Sequence, residues 1–288
     1  MRATAPASSA NLGPGFDTLA VALGLHVEVE VEDADRLTVT TEGEGADLPA
    51  DASHLAARVA TAAAGHDRLA ITVRSSIPVG RGLGSSAALA AAAAAAAGSP
   101  DPLAVATGVD GHPDNAAASV MGGLVTSTTV DGVAVVRRLD LDPGLAFVVL
   151  VPDRALPTEE ARRALPASVP HGDAVFNLGR LGLLVAGLAD RRLLLAAATE
   201  DRLHQGPRAA LFPEAPALLQ GLVEAGALAS CWSGAGPTLL ALCDGAGAES
   251  VRSAGDELLA GAGVTGRALL LAPDLDGLVV TGPGAGVG

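Results

Sequence analysis

Three glycines at alternate positions, Gly80, Gly82 and Gly84, stand just ahead of an alanine-rich stretch that begins at Ser85. Residues 69–73 before them read as a strand, and the alanines read as a helix. Glycine admits positive φ and lets a ligand approach the main chain closely. The first amides of the following helix have no intrahelical partner and sit at the positive end of its dipole. Such a junction is suited to an anion, most often phosphate. Ser85 and Ser86 add hydroxyls that suit a phosphate oxygen or a metal. A tight turn with Ser85 as N-cap uses the same residues without any ligand. The spacing fits neither a Gly-Lys-Ser/Thr loop nor Gly-x-Gly-x-x-Gly, so spacing alone leaves both readings open.

Composition narrows the classes. A chain of 288 residues is one large domain or two average ones. Hydrophobic residues are 49% and aromatics only 2%, with no tyrosine, so the core must be built from Ala, Leu and Val. All 18 basic side chains are arginine, which excludes a lysine clamp on phosphate. The net charge of −14 argues against nucleic-acid binding and requires any anionic ligand to be held by a local positive site. Cys231 and Cys243 lie in apolar strand-like runs and read as buried free thiols. Residues 11–17 interrupt any apolar leader, and residues 87–97 are too short to span a bilayer. The expectation is a soluble, cytoplasmic protein with no membrane contact.

Val27, Val29 and Val31 alternate with Glu28, Glu30 and Glu32, the pattern of a half-buried antiparallel strand, with residues 37–41 as its partner. A helix over 52–64 ends at Gly65. Gly98 to Pro102 breaks the alanine helix, and a second Gly/Pro region spans 108–113 before a short helix over 113–120. Asp131-Gly132 turns a hairpin between 122–129 and 133–139. Past a seam at Pro143-Gly144, strands are read over 147–151, 230–232, 238–243 and 265–271. Helices are read over 158–165, 173–189, 191–203, 216–225 and 248–260. Strands and helices mix without regular βαβ alternation, which predicts an α+β fold of two domains, 1–144 and 145–288.

Four further constellations carry chemistry. Asn11 and Asp17, between glycines, are turn formers or an amide and a carboxylate in a binding loop, where Asp17 suits an ammonium group. In Asp110-Gly111-His112-Pro113-Asp114-Asn115, Asp114 caps a helix, while His112 and Asn115 are spaced to share a pocket. Arg162 and Arg208 suit a carboxylate, which a planar guanidinium meets with two hydrogen bonds; Arg163, Arg191 and Arg192 read as solvated helix-face residues. Residues 233–238 read as a turn.

These segments resemble one family in order. Pro78, Gly82-Leu83-Gly84-Ser85-Ser86 and the alanines after them resemble the ATP-phosphate loop of the GHMP kinases. Residues 6–17 resemble the opening motif of homoserine kinases within that family, and 110–115 resemble their Glu-Gly-His-Pro-Asp-Asn motif, with Asp110 one methylene shorter than the usual Glu. Residues 158–166, 205–208 and 233–237 resemble three further family segments. The resemblance implies the two-domain GHMP kinase fold, with an active-site cleft between the domains and a ferredoxin-like second domain, and ATP and L-homoserine as substrates. It implies ATP binding by Pro78, Val79, Gly80, Arg81, Gly82, Leu83, Gly84, Ser85 and Ser86. It implies Mg²⁺ on Ser86 and Asp110, with Asn115 beside them in catalysis, and homoserine contacts from Asn11, Asp17, His112, Asn115, Thr158, Arg162 and Arg208. Residues 233–237 would close the cleft. A GHMP kinase for another small alcohol, a catalytically silent binding protein on the same fold, and a homodimer all stay open at this point.

Overall fold

The computed structural model describes residues 1–282. Its chain is an α+β fold built on two sheets. The first sheet is centred on β1 (Arg2–Asn11) and β2 (Gly15–Asp33), an antiparallel pair joined by the turn at residues 12–14. The 19-residue β2 is longer than the alternating valines suggest, because it serves two neighbours. Its first half pairs with β5 (Leu124–Val130), which forms a hairpin with β6 (Val133–Leu139). Its second half pairs with β4 (Leu69–Ser75). The strand β3 (Thr38–Gly43) runs parallel to β4, not against β2 as the sequence suggested. The helix α1 (Leu55–Ala64) supplies the crossover that parallel pairing requires.

The alanine helix α2 (Ser85–Ala96) sits at the centre of this half. A helix apolar on every side has no solvent face and must be buried. Nine of its alanines are buried, packed among β1, β2, α1, α3 (Pro102–Asp110) and α4 (Asp114–Met121). Alanine lets five neighbours approach closely where larger side chains would hold them apart. The sequence reading missed α3, treating its first residues as a breaker; Asp101 caps it by accepting from the Ala104 amide at 2.9 Å, and Pro102 occupies its first turn.

The second sheet orders β10 (Gly266–Leu271), β7 (Leu145–Pro152), β9 (Leu239–Asp244) and β8 (Ala229–Trp232), all antiparallel. Side chains on β7 alternate between two cores. Phe147, Val149 and Val151 join the core shared with the first half, while Val148 and Leu150 join one formed with α8 (Ala215–Glu224) and α9 (Ala248–Gly261). The free cysteines Cys231 and Cys243 are buried in different cores, and burial pushes both thiols up to about 12.

The helix read over 191–203 is absent. Two short 3-10 turns, Arg191–Leu193 and Ala196–Thr199, take its place. Asp190 accepts from the Arg192 amide at 3.1 Å, and Arg191 is held by Asp142 and Asp244 at 2.8 and 2.9 Å, so it is an anchor and not a solvated residue. Beside them runs α6 (His171–Ala189), an apolar 19-residue helix that leaves Val175, Leu178 and Leu183 exposed. By length and composition it is the one helix among the described residues that meets the requirements of a membrane span. Finally β11 (Val279–Thr281) returns to pair with β1, so the last described strand of the chain belongs to the first sheet. We propose the domain seam at residues 144–145, with β11 crossing back over it.

Candidate active site

A cleft of about 470 Å³ lies between the two halves. One wall is the loop from Val79 to Ser86, in which Gly80, Gly82 and Gly84 have φ of 68°, 80° and 65°. Gly84, not Ser85, is the N-cap of α2, and no side chain caps that end. Its first amides are therefore left to a ligand. A Cβ on Gly82 would stand 2.4 Å from the Ser233 carbonyl, and one on Gly84 would stand 2.0 Å from Ser8 Oγ. The glycines are thus required twice, for conformation and for close packing. Pro78 and Leu83 turn inward and are buried, so they shape the loop from behind. The Arg81 guanidinium donates to the Pro152 carbonyl, which ties the loop to the second half and commits one of its donors there.

Ser86 Oγ donates to Asp110 Oδ1 at 2.5 Å, joining the helix start to the end of α3. Burial raises the Asp110 carboxyl above its ordinary value, and the Ser86 bond opposes that rise. Next in the chain, His112 Nδ1 lies 2.5 Å from Asp114 Oδ1, which also accepts from the Asn115 amide at 2.8 Å. Burial pulls the His112 pKa down, but the Asp114 bond and charge outweigh it and leave it raised. Asp114 is fully buried, so it fixes the ring as well as starting α4. Ser8 Oγ donates to Asn115 Oδ1 at 2.9 Å. His112 and Asn115 both line the cleft.

The far wall is made of charged side chains. Asp17, with φ of 50°, receives two hydrogen bonds from Arg162 on α5 (Thr158–Arg163), at 2.8 and 3.1 Å. These two groups, 145 positions apart, meet face to face. Asn11 is occupied by the fold: its Nδ2 donates to the Gly234 carbonyl at 2.8 Å and its Oδ1 accepts from the Asp17 amide at 2.9 Å. Arg208 ends α7 (Gln205–Arg208) with 1% of its surface exposed. Burial, then the Arg162 charge, lowers its pKa to about 10, so it stays cationic at neutral pH. The guanidinium carbons of Arg162 and Arg208 lie 5.7 and 5.4 Å from the centre of the Phe16 ring. Thr158 lines the same cleft at the start of α5.

The loop at residues 233–237 locks the walls together. Ser233 Oγ donates to the Gly82 carbonyl at 2.7 Å, the Gly234 amide donates to the Ala10 carbonyl at 2.9 Å, and the Thr238 amide donates to the Arg81 carbonyl at 3.2 Å.

Sequence reasoning missed the apolar lobe of the cleft, formed by Val27, Leu48, His54, Leu55, Val73, Leu89 and Val109. His54 caps α1 by accepting from the Ala56 amide at 3.2 Å. A histidine one position before a helical pattern was the available signal. His204, buried behind Arg208, was also missed.

Comparison with known proteins agrees with this geometry. Residues 52–123 match the GHMP kinase N-terminal domain and 184–261 match the GHMP kinase C-terminal domain. The chain is 46% identical over 275 residues to a homoserine kinase of Streptomyces avermitilis, covering 89% of this chain and 90% of that one. The chain belongs to the homoserine kinase family of GHMP kinases. A homoserine kinase of Desulfitobacterium hafniense is 38% identical, with 97% and 99% of the two chains covered. The crystal structure of a homoserine kinase from Cytophaga hutchinsonii superposes with a TM-score of 0.84 at 26% identity, over 98% of this chain and 97% of that one. The chain is an ATP-dependent phosphotransferase acting on a hydroxyl.

Proposed function

We propose that this enzyme transfers the γ-phosphate of ATP to the side-chain hydroxyl of L-homoserine, giving ADP and O-phospho-L-homoserine, an intermediate on the way to threonine. The observation that carries the reading is the Asp17–Arg162 pair with Arg208 over the same Phe16 ring. A carboxylate beside two guanidiniums matches an amino-acid zwitterion, and does not match a sugar or a simple alcohol. Arg162 and Arg208 take the substrate carboxylate and Asp17 the ammonium, with Asn11 holding the Asp17 backbone in place. His112, Asn115 and Thr158 line the space for the hydroxyl end. The apolar lobe takes the adenine, and the amides at the start of α2 take the phosphates.

Mg²⁺ fits this donor set. Ser86 and Asp110 present hard oxygens side by side at the cleft, the ligand type that Mg²⁺ takes. They would hold the ion, which supplies charge neutralisation on the triphosphate. Asp17, His112 and Asp114 also bring ligand atoms within 4.8 Å of one another, but an imidazole is not a Mg²⁺ ligand of choice and Asp114 is fully buried. With no lysine and a committed Arg81, the chain stabilises phosphate through amides and the helix dipole. Phosphoryl transfer rests mainly on positioning and charge neutralisation, so a dedicated base is not required. We place the enzyme in the cytoplasm.

The test is ADP release with and without L-homoserine. Homoserine-dependent turnover is expected; ADP release driven by another small alcohol but not by homoserine, or no turnover with either, would overturn the reading.

A further inference from the structure

We propose that His204 is a positioning residue that aims Arg208 into the cleft and couples it to the start of β2, which carries Asp17. The inference rests on the assignment of Arg208 to the substrate carboxylate.

His204 is fully buried at the N-cap of α7. Its Nε2 lies 2.7 Å from the Gly13 carbonyl, which only accepts, so Nε2 must carry the hydrogen. Its Nδ1 lies 2.9 Å from Arg208 Nη1, which only donates, so Nδ1 must offer a lone pair. The partners on the two sides permit one arrangement, the neutral Nε2–H tautomer. An imidazolium would set an N–H against the Arg208 N–H.

The same Nη1 donates to the Gly234 carbonyl at 3.1 Å. Two acceptors from different segments therefore fix one corner of the guanidinium. The Arg208 Nε is buried and has no partner among the described residues, while the residue itself lines the cleft. On its other side the His204 ring stacks on Phe16 at 5.2 Å. Gly13 lies in the turn before β2 and Phe16 at the start of β2 beside Asp17, so one imidazole holds both ends of the zwitterion site in register.

The charged groups facing the ring agree with the neutral form. Burial first, and then the Arg208 charge, lower its pKa to about 4, against the opposing pull of Asp201 and Asp17. Asp201 lies 3.9 Å away but is engaged by the amides of Leu203, His204 and Gln205.

Two substitutions test the role. His204→Gln retains one acceptor for Arg208 and one donor for Gly13; His204→Phe retains the ring stack and loses both. For H204F the homoserine KM rises roughly tenfold to a hundredfold, the loss expected for a hydrogen bond to a charged group. Its kcat and ATP KM stay within about threefold, as does the homoserine KM of H204Q. An unchanged homoserine KM in H204F, or equal damage to both substrates, overturns the proposal. If H204F does not fold, a folded H204Q with a tenfold higher homoserine KM overturns it. The ring ¹⁵N spectrum of His204, assigned by its loss in H204Q, is expected to show neutral Nε2–H at pH about 6. An imidazolium or an Nδ1–H tautomer there overturns the proposal whatever the substrate is. Wild-type enzyme inert toward homoserine would instead retire the substrate assignment.

Discussion

The two ends of the cleft are built from different material. The phosphate end is backbone: three left-handed glycines, an uncapped helix start and one arginine committed to a carbonyl elsewhere. The amino-acid end is side chain: Asp17, Arg162, Arg208 and the histidine behind it. Main-chain amides select for charge and shape, and any triphosphate of the right size satisfies them. Converging side chains select one ligand, because each group must find its complement. The difference also sets how each end fails. Backbone cannot be deleted, only obstructed, whereas a side chain can be removed while the fold stands.

The largest effect is expected from obstruction. Gly82→Ala forces a Cβ toward the Ser233 carbonyl at a φ of 80°. Unfolding free energy falls by roughly 2–4 kcal/mol, and turnover falls with it because the loop and the 233–237 turn share hydrogen bonds. Urea denaturation and steady-state kinetics read the two losses together; a stable, inactive G82A would show that the loop is not also a structural joint.

Deletion at the other end is expected to separate those losses. Arg162→Ala lowers kcat/KM for homoserine roughly a hundredfold. The Asp17–Arg162 pair is about one-third exposed on each side, so stability changes by no more than about 1 kcal/mol. An equal loss of ATP affinity would show that the two ends are not independent.

The third expected effect is a slope. His204 titrates at about 4 in the folded protein against 6.5 in the unfolded chain. As pH falls through that window the unfolded state takes up the proton first, so stability present above pH 6.5 is lost progressively toward pH 4. The contribution of this group is flat below that. Urea midpoints of wild type and H204Q across the window should diverge; parallel curves would mean that the buried ring is not neutral.

The same contrast explains what the sequence reveals. The phosphate loop is contiguous, so its glycines, its helix and its serines could be read together. Asp17 and Arg162 lie 145 residues apart, and nothing local says that they meet; only the family resemblance linked them. His204 carried no motif, since its role comes from Gly13 and Arg208 on either side of it. The helix expected over 191–203 failed because ion pairs with Asp142 and Asp244 pin Arg191 in a turn. The partner of β3 was misjudged because strand order depends on α1 crossing over, which alternation cannot encode. The strand β11 is three residues long and follows an Asp- and Gly-rich turn, too short for a pattern.

That last strand has a consequence for synthesis. Among the described residues, Arg2, Ala3 and Thr4 of β1 find their outer partners in Thr281, Val280 and Val279. As the chain leaves the ribosome, β1 keeps an open edge until residues 279–281 have been translated. An open strand edge invites pairing with other chains. Closing the first sheet in the nascent enzyme therefore depends on β11, which is made long after β1.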